Sequence, residues 1–207
     1  MLRAKVLAYA ALMSILSMMP VSAADVALGD QAWSLGCPAS GLASVAQVEG
    51  RPDATFSRVY RGTASADGTI CLVEMNGRAV RMVRQVMREG SSLADVMQDR
   101  LIGMFPARPG REISVTAFLQ VDGVSPPVQQ QFMNSYRYAG QQLLMVGGRQ
   151  RRVALLVHRE EGRTNSYAAE SHYYFDVDSH ELLRFDYRPE RGARRPIFSW
   201  HVMGLRQ

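Results

Sequence analysis

Apolar and polar residues alternate most regularly in the second half of the chain. Val153, Leu155 and Val157 fall on one side of that alternation, and Arg152 and His158 on the other. Likewise Leu183, Phe185 and Tyr187 oppose Arg184, Asp186 and Arg188. A period of two is what a half-buried strand requires. It predicts four antiparallel strands over 136–146, 150–160, 166–176 and 182–188. The reversals are Gly147-Gly148, Glu161-Gly162-Arg163 and Asp178-Ser179-His180.

The first half carries the same signal between sharper punctuation. Asp67-Gly68 and Asn76-Gly77 are type I′ hairpin signals, because both central residues of that turn need positive φ. They divide strands over 56–64, 70–75 and 79–86, with Met75 opposite Arg78 and Val73 opposite Val80. Ser92-Leu93-Ala94-Asp95 reads as a capping box that opens a helix over 92–105. Leu93, Val96, Met97, Leu101 and Met104 share one face of it. Pro106 and Pro109-Gly110 end it, and strict alternation resumes over 112–121 with Ile113, Val115, Ala117, Leu119 and Val121. Pro126-Pro127 breaks the chain before the second meander. A last strand covers 197–203, where Phe198, Trp200 and Val202 alternate with Ser199 and His201, fed by a turn at 191–196. Residues 25–53 lack periodicity and read as an irregular segment, with a short strand or helical turn at Leu42, Val45, Ala46 and Val48. The sum is a mainly β chain of about nine antiparallel strands and one helix. A sheet of that kind covers its apolar face by curling into a half-barrel or by forming a sandwich; the expectation is a curved sheet with 92–105 on its concave side.

The N-terminus sets the compartment. Arg3 and Lys5 precede an apolar run over 6–19 and then Pro20-Val21-Ser22-Ala23-Ala24, the layout of a cleaved secretory signal. The apolar run is shorter than the roughly 20 residues a membrane-spanning helix needs. The expected organisation is a signal peptide over 1–23 and a single β-rich domain over 24–207, located in the periplasm or secreted from a Gram-negative envelope, with no transmembrane segment after cleavage. Cys37 lies too far beyond the apolar run to be a lipid-attachment site. Two cysteines in an exported chain are expected to pair as Cys37–Cys71. The formal charge of +5 falls to +3 once Arg3 and Lys5 are removed, and all remaining bases are Arg. That surplus is too small and dispersed for a nucleic-acid face, and the arginines at 149, 151, 152, 188, 191, 194 and 195 read as solvated turns and strand edges.

Several short segments carry a resemblance. Residues 105–111 (Phe-Pro-Ala-Arg-Pro-Gly-Arg), Tyr138-Ala139-Gly140-Gln141-Gln142, Val146-Gly147-Gly148-Arg149, Tyr173-Tyr174-Phe175-Asp176 and Leu182-Leu183-Arg184 resemble, in that order, a pattern of uncharacterised exported bacterial proteins. The stretch 105–190 is also similar to the curved-sheet module of the LolA/LolB lipoprotein carriers. It departs from the pattern at Gly147-Gly148-Arg149-Gln150, where Pro-Ala-Gly is expected. The resemblance implies a fold and a compartment.

Catalytic signatures are missing: there is no G-x-S-x-G elbow, H-E-x-x-H or phosphate-cradling glycine loop. His158, His172, His180 and His201 all lie late, but the predicted register sets His158 near Tyr167 and His172 near Phe185, which gives no convergent metal site. Asp176-Val177-Asp178-Ser179-His180-Glu181 lacks the central glycine and the acid at position twelve of a calcium loop, and reads as a hairpin turn. Neither metal nor cofactor is expected. The aromatics are more suggestive. Tyr138, Tyr173, Phe175, Phe185, Tyr187 and Trp200 are candidate ligand-binding residues, with Tyr173 and Phe175 lining one face and Tyr174 the other. The reading is a non-catalytic envelope protein that binds a lipophilic small molecule or a protein partner on a curved sheet. The alternatives are a hydrolase with a site built from loop residues, or a structural subunit of an envelope assembly.

Overall fold

A computed structural model of the chain describes residues 31–121, 128–192 and 198–206. The signal segment, Pro126-Pro127 and most of the turn before the last strand lie outside these. Eleven antiparallel strands form one sheet: β1 (Ala43–Val48), β2 (Arg51–Thr63), β3 (Ile70–Met75), β4 (Arg78–Val83), β5 (Met87–Arg88), then, after helix α1 (Ser92–Met104), β6 (Glu112–Val121), β7 (Val128–Val146), β8 (Arg149–Gly162), β9 (Ala168–Asp176), β10 (Leu182–Arg191) and β11 (Trp200–Arg206). Their order is β5-β4-β3-β2-β1-β11-β10-β9-β8-β7-β6. Every strand therefore pairs with its sequence neighbour except at the β1–β11 seam, which joins the two meanders. Among the described residues there is one sheet, not the two of a sandwich.

Helix α1 explains why that sheet curls without closing. It packs on β6 at one edge and on β4 and β5 at the other. Ala94, Met97, Leu101 and Met104 are sealed in a core with Ile70, Val83, Tyr136, Tyr138, Leu156, Phe175 and Leu182, drawn from both meanders. Two edges held against one helix describe a half-barrel with the helix in its gap. The helix starts at Ser92 as expected, but Ser91, not Ser92, is the cap, its hydroxyl accepting from the Ala94 N–H. Val96 drops out of the apolar face, at 44% exposed.

Both faces of the central strands are buried. Ala46, Val153, Tyr174, Leu183 and Val202 form a second core, completed by Leu144 and Val146 from the β7–β8 hairpin. That hairpin folds over β11 so closely that a Cβ on Gly147 would lie 2.9 Å from the Met203 carbonyl oxygen.

Four sequence expectations need correction. The two extra strands are β1, a strand and not a helical turn, and the two-residue β5. Only Asn76-Gly77 has positive φ at both positions (48° and 77°). At Asp67-Gly68 only the glycine does, because the Asp67 carboxylate accepts from the Thr69 N–H and hydroxyl and builds a wider loop. The β8–β9 connection is also longer than a tight turn, so His158 pairs with Ser171 and not Tyr167, and the register shift in β10 pairs His172 with Asp186 and not Phe185. Finally, a bulge between Leu182 and Arg184 breaks the alternation of β10. Leu183 joins the second core, while Phe185 turns to the Tyr173 side.

Candidate functional site

The two wings of the curled sheet face each other across the β1 seam. Between them lies a cavity of about 200 Å³. Phe56, Arg58 and Tyr60 enter it from β2, Val73 and Met75 from β3, and Met82 from β4. Tyr173, Leu182, Phe185 and Trp200 enter from β9, β10 and β11, and Gln85 and Val86 close one end. The aromatic wall is continuous. Tyr173 meets Phe185 edge-on at 5.1 Å, Phe185 stacks on Trp200 at 6.2 Å, and Phe56 meets Trp200 edge-on at 5.1 Å. Offset and edge-on contacts at these separations are favourable ring geometries.

One polar cluster interrupts this wall. Arg58 is only 4% exposed, and its guanidinium lies over the Trp200 ring at 4.5 Å. From Nη2 it donates to Glu181 Oε1, the Leu182 carbonyl and, at 3.3 Å, Ser44 Oγ. Ser44 in turn donates to Glu181 Oε1 at 2.7 Å. Glu181 is completely buried. Burial pushes its carboxyl up, and the adjacent Arg58 charge opposes that. The Tyr60 hydroxyl is also pushed up, chiefly by burial, and donates to Gln85 Oε1 at 2.9 Å. Arg58 Nε and Glu181 Oε2 are sealed from solvent without a hydrogen-bond partner.

Gln85 ties this cluster to the rest of the fold. Its amide donates to the carbonyls of Gly36 and His180, each at 2.8 Å. Both Arg84 and Gln85 have left-handed backbones (φ 46° and 59°), a conformation that costs roughly 1–3 kcal/mol per residue and persists only where surroundings enforce it. The surroundings here are explicit: Arg84 Nη1 donates to the Leu35 carbonyl and its guanidinium lies over Phe105.

Of the six residues singled out from sequence, Tyr173, Phe185 and Trp200 line the cavity. Tyr138 and Phe175 do not; they are core residues beneath Trp33, with ring centroids 5.8 and 6.0 Å from it. Tyr187 faces elsewhere, its hydroxyl 3.1 Å from that of Tyr167. Tyr173 and Phe175 do share a face, stacked at 6.3 Å. Tyr174 is on the other, donating to Asp186 Oδ2. Sequence reading missed Arg58, Tyr60, Gln85 and Glu181. The signal for the first two was present: Phe56, Arg58 and Tyr60 occupy alternate positions of one strand, a charge on an aromatic face.

Cys37 and Cys71 form a disulfide with Cα atoms 5.3 Å apart, which commits the Cys37 sulfur. Among the described residues, no cluster of three or more His, Cys, Asp or Glu side chains could hold a metal ion, and no helix is long and apolar enough to cross a membrane. The 176–181 segment is a turn in which Asp176 Oδ1 accepts from the N–H groups of Asp178 and Ser179. It borders a wider polar hollow with Ser40 and Arg151, where Arg151 pairs with Asp176. Glu161 and Glu170 are each held by Arg159.

No protein-family model matches the sequence, and no curated protein matches it. Among solved structures, the chain is similar to the hypothetical lipoprotein YmcC from Escherichia coli (K12), at 12% identity and a TM-score of 0.43, over 82% of this chain and 88% of that one.

Proposed function

We propose that the protein is a non-catalytic envelope component that binds a lipophilic molecule in the aromatic cavity between the two wings of its sheet. The observation that carries this reading is the cavity itself: ten of its twelve lining side chains are apolar or aromatic without a charge or amide, Arg58 and Gln85 are the exceptions, and Tyr60 and Tyr173 add hydroxyls. Apolar clefts with a few placed polar groups are the usual form of a small-molecule site. No Ser, Cys, His, Asp or Glu side chain lines it, which favours binding over hydrolysis. The disulfide suits an oxidising compartment such as the envelope. An apolar chain such as an acyl group is the chemistry this wall suits.

Native mass spectrometry of residues 24–207 purified from a periplasm tests the proposal. The expected result is a mass excess that organic extraction removes. A clean protein mass, together with unchanged tryptophan emission on titration with medium-chain lipids, would overturn it.

A further inference from the structure

We infer that the ligand of this cavity carries a carboxylate, held by Arg58. The inference rests on the lipophilic reading above and adds the polar end of the molecule. All of Arg58's hydrogen bonds leave from Nη2. Its Nε is sealed without a partner, and Nη1 takes part in none of the three bonds. A guanidinium has five N–H donors in a fixed planar fork; with Nε enclosed and Nη2 engaged, the two on Nη1 remain for a ligand on a side chain that forms part of the cavity wall. Donors set in a largely apolar wall favour a ligand that brings an acceptor.

Charge favours an anion over a neutral acceptor. Glu181 is the carboxylate paired with Arg58, and no other acid lines the cavity. Glu181 meets the guanidinium at Nη2, so no acid of the cavity lining faces Nη1. A carboxylate gives Nη1 a charged acceptor, whose hydrogen bond to a guanidinium is shorter and stronger than that of a neutral one. The Trp200 ring beneath the guanidinium fixes its plane, and Phe56, Met75 and Phe185 offer an apolar wall to the tail. The cavity, of about 200 Å³ and lined from both meanders, has room for an aliphatic tail. A medium-chain monocarboxylate is therefore the fitting class.

Octanoate, methyl octanoate and 1-octanol test this on delipidated mature protein, by calorimetry and by tryptophan emission. Octanoate should bind about 10- to 100-fold more tightly than either neutral analogue, the range expected for hydrogen bonds to a charged group. In the paired variant Arg58→Met/Glu181→Leu, which removes both charges together, the three should bind alike at the strength of 1-octanol. Because methyl octanoate removes the charge from the ligand side, the comparison stands even if the variant does not fold. Equal binding of octanoate and 1-octanol by the wild type would overturn the carboxylate assignment and leave the lipophilic pocket standing. No binding of any of the three would overturn the pocket reading, and this inference with it.

Discussion

Replacing Arg58 by methionine isolates the energetics of the buried cluster. The substitution leaves the Glu181 carboxyl, fully enclosed, without its counter-charge, and it strips the Leu182 carbonyl of a donor. Removing one partner of a buried ion pair typically costs about 3–5 kcal/mol, because the survivor stays desolvated and unpaired. For a domain of this size that corresponds to a fall in melting temperature on the order of 10 °C. Replacing both partners together, as Arg58→Met/Glu181→Leu, removes both charges; the residual loss, roughly 1–2 kcal/mol, comes from the unsatisfied Ser44 hydroxyl and Leu182 carbonyl. The double variant should therefore be more stable than Arg58→Met by about 2 kcal/mol. Urea unfolding of the wild type, both single variants and the double, with the disulfide intact, measures the coupling directly. If the two single losses simply add, the pair is not an electrostatic unit and the reasoning fails.

Three further perturbations follow from other parts of the fold. Converting Cys37 and Cys71 to serine opens a 34-residue separation and should lower stability by roughly 3–4 kcal/mol from loop-closure entropy, read by urea midpoint. His158 is buried against Tyr136 at 4.3 Å, and burial lowers its pKa from 6.5 to about 4. The unfolded chain thus takes up a proton that the folded one refuses, so stability is present in full above pH 6.5 and is lost as pH falls towards 4. On the order of 3 kcal/mol should go over that window, and a His158→Gln variant should show a flatter profile; identical profiles would refute the assignment. Gly147→Ala places a side chain at φ 54° and 2.9 Å from the Met203 carbonyl. It should destabilise the protein by about 1–2 kcal/mol or more, and hydrogen exchange should rise first in the β7–β8 hairpin tip.

Local pattern made most of the strands legible. Residues 70–75 and 112–121 match β3 and β6 in full, and the Met75–Arg78 register holds because Asn76-Gly77 leaves the turn no other length. What local pattern could not carry was any residue whose position depends on a partner far along the chain. The β10 bulge is invisible in an uninterrupted run of Leu-Leu-Arg-Phe-Asp-Tyr, yet it sends Leu183 into the second core and Phe185 to the cavity wall. The β8–β9 register failed for a related reason: the Asn165 side chain accepts from the Tyr167 N–H and helps shape a connection longer than Glu161-Gly162-Arg163 implied. Tyr138 and Phe175 looked equivalent to Tyr173, and became core only because Trp33, from a segment without periodicity, lies across them.

The same distinction explains why half of the cavity was missed. Tyr173, Phe185 and Trp200 announce themselves by chemistry, being aromatic on alternating strands. Arg58 and Glu181 are 123 residues apart, and each in isolation reads as a solvated charge on a strand or beside a turn. Their meeting depends on the β1 seam, which joins the end of the second meander to the start of the first. Stability alone gives little reason for such a pair, since well-packed apolar residues in its place are often neutral or stabilising. Its position argues for a different role: the guanidinium that holds Glu181, Ser44 and the Leu182 carbonyl with Nη2 keeps Nη1 for an apolar cavity built from both meanders. A charge retained there at a cost to packing is what a site selecting among apolar ligands by their polar end requires.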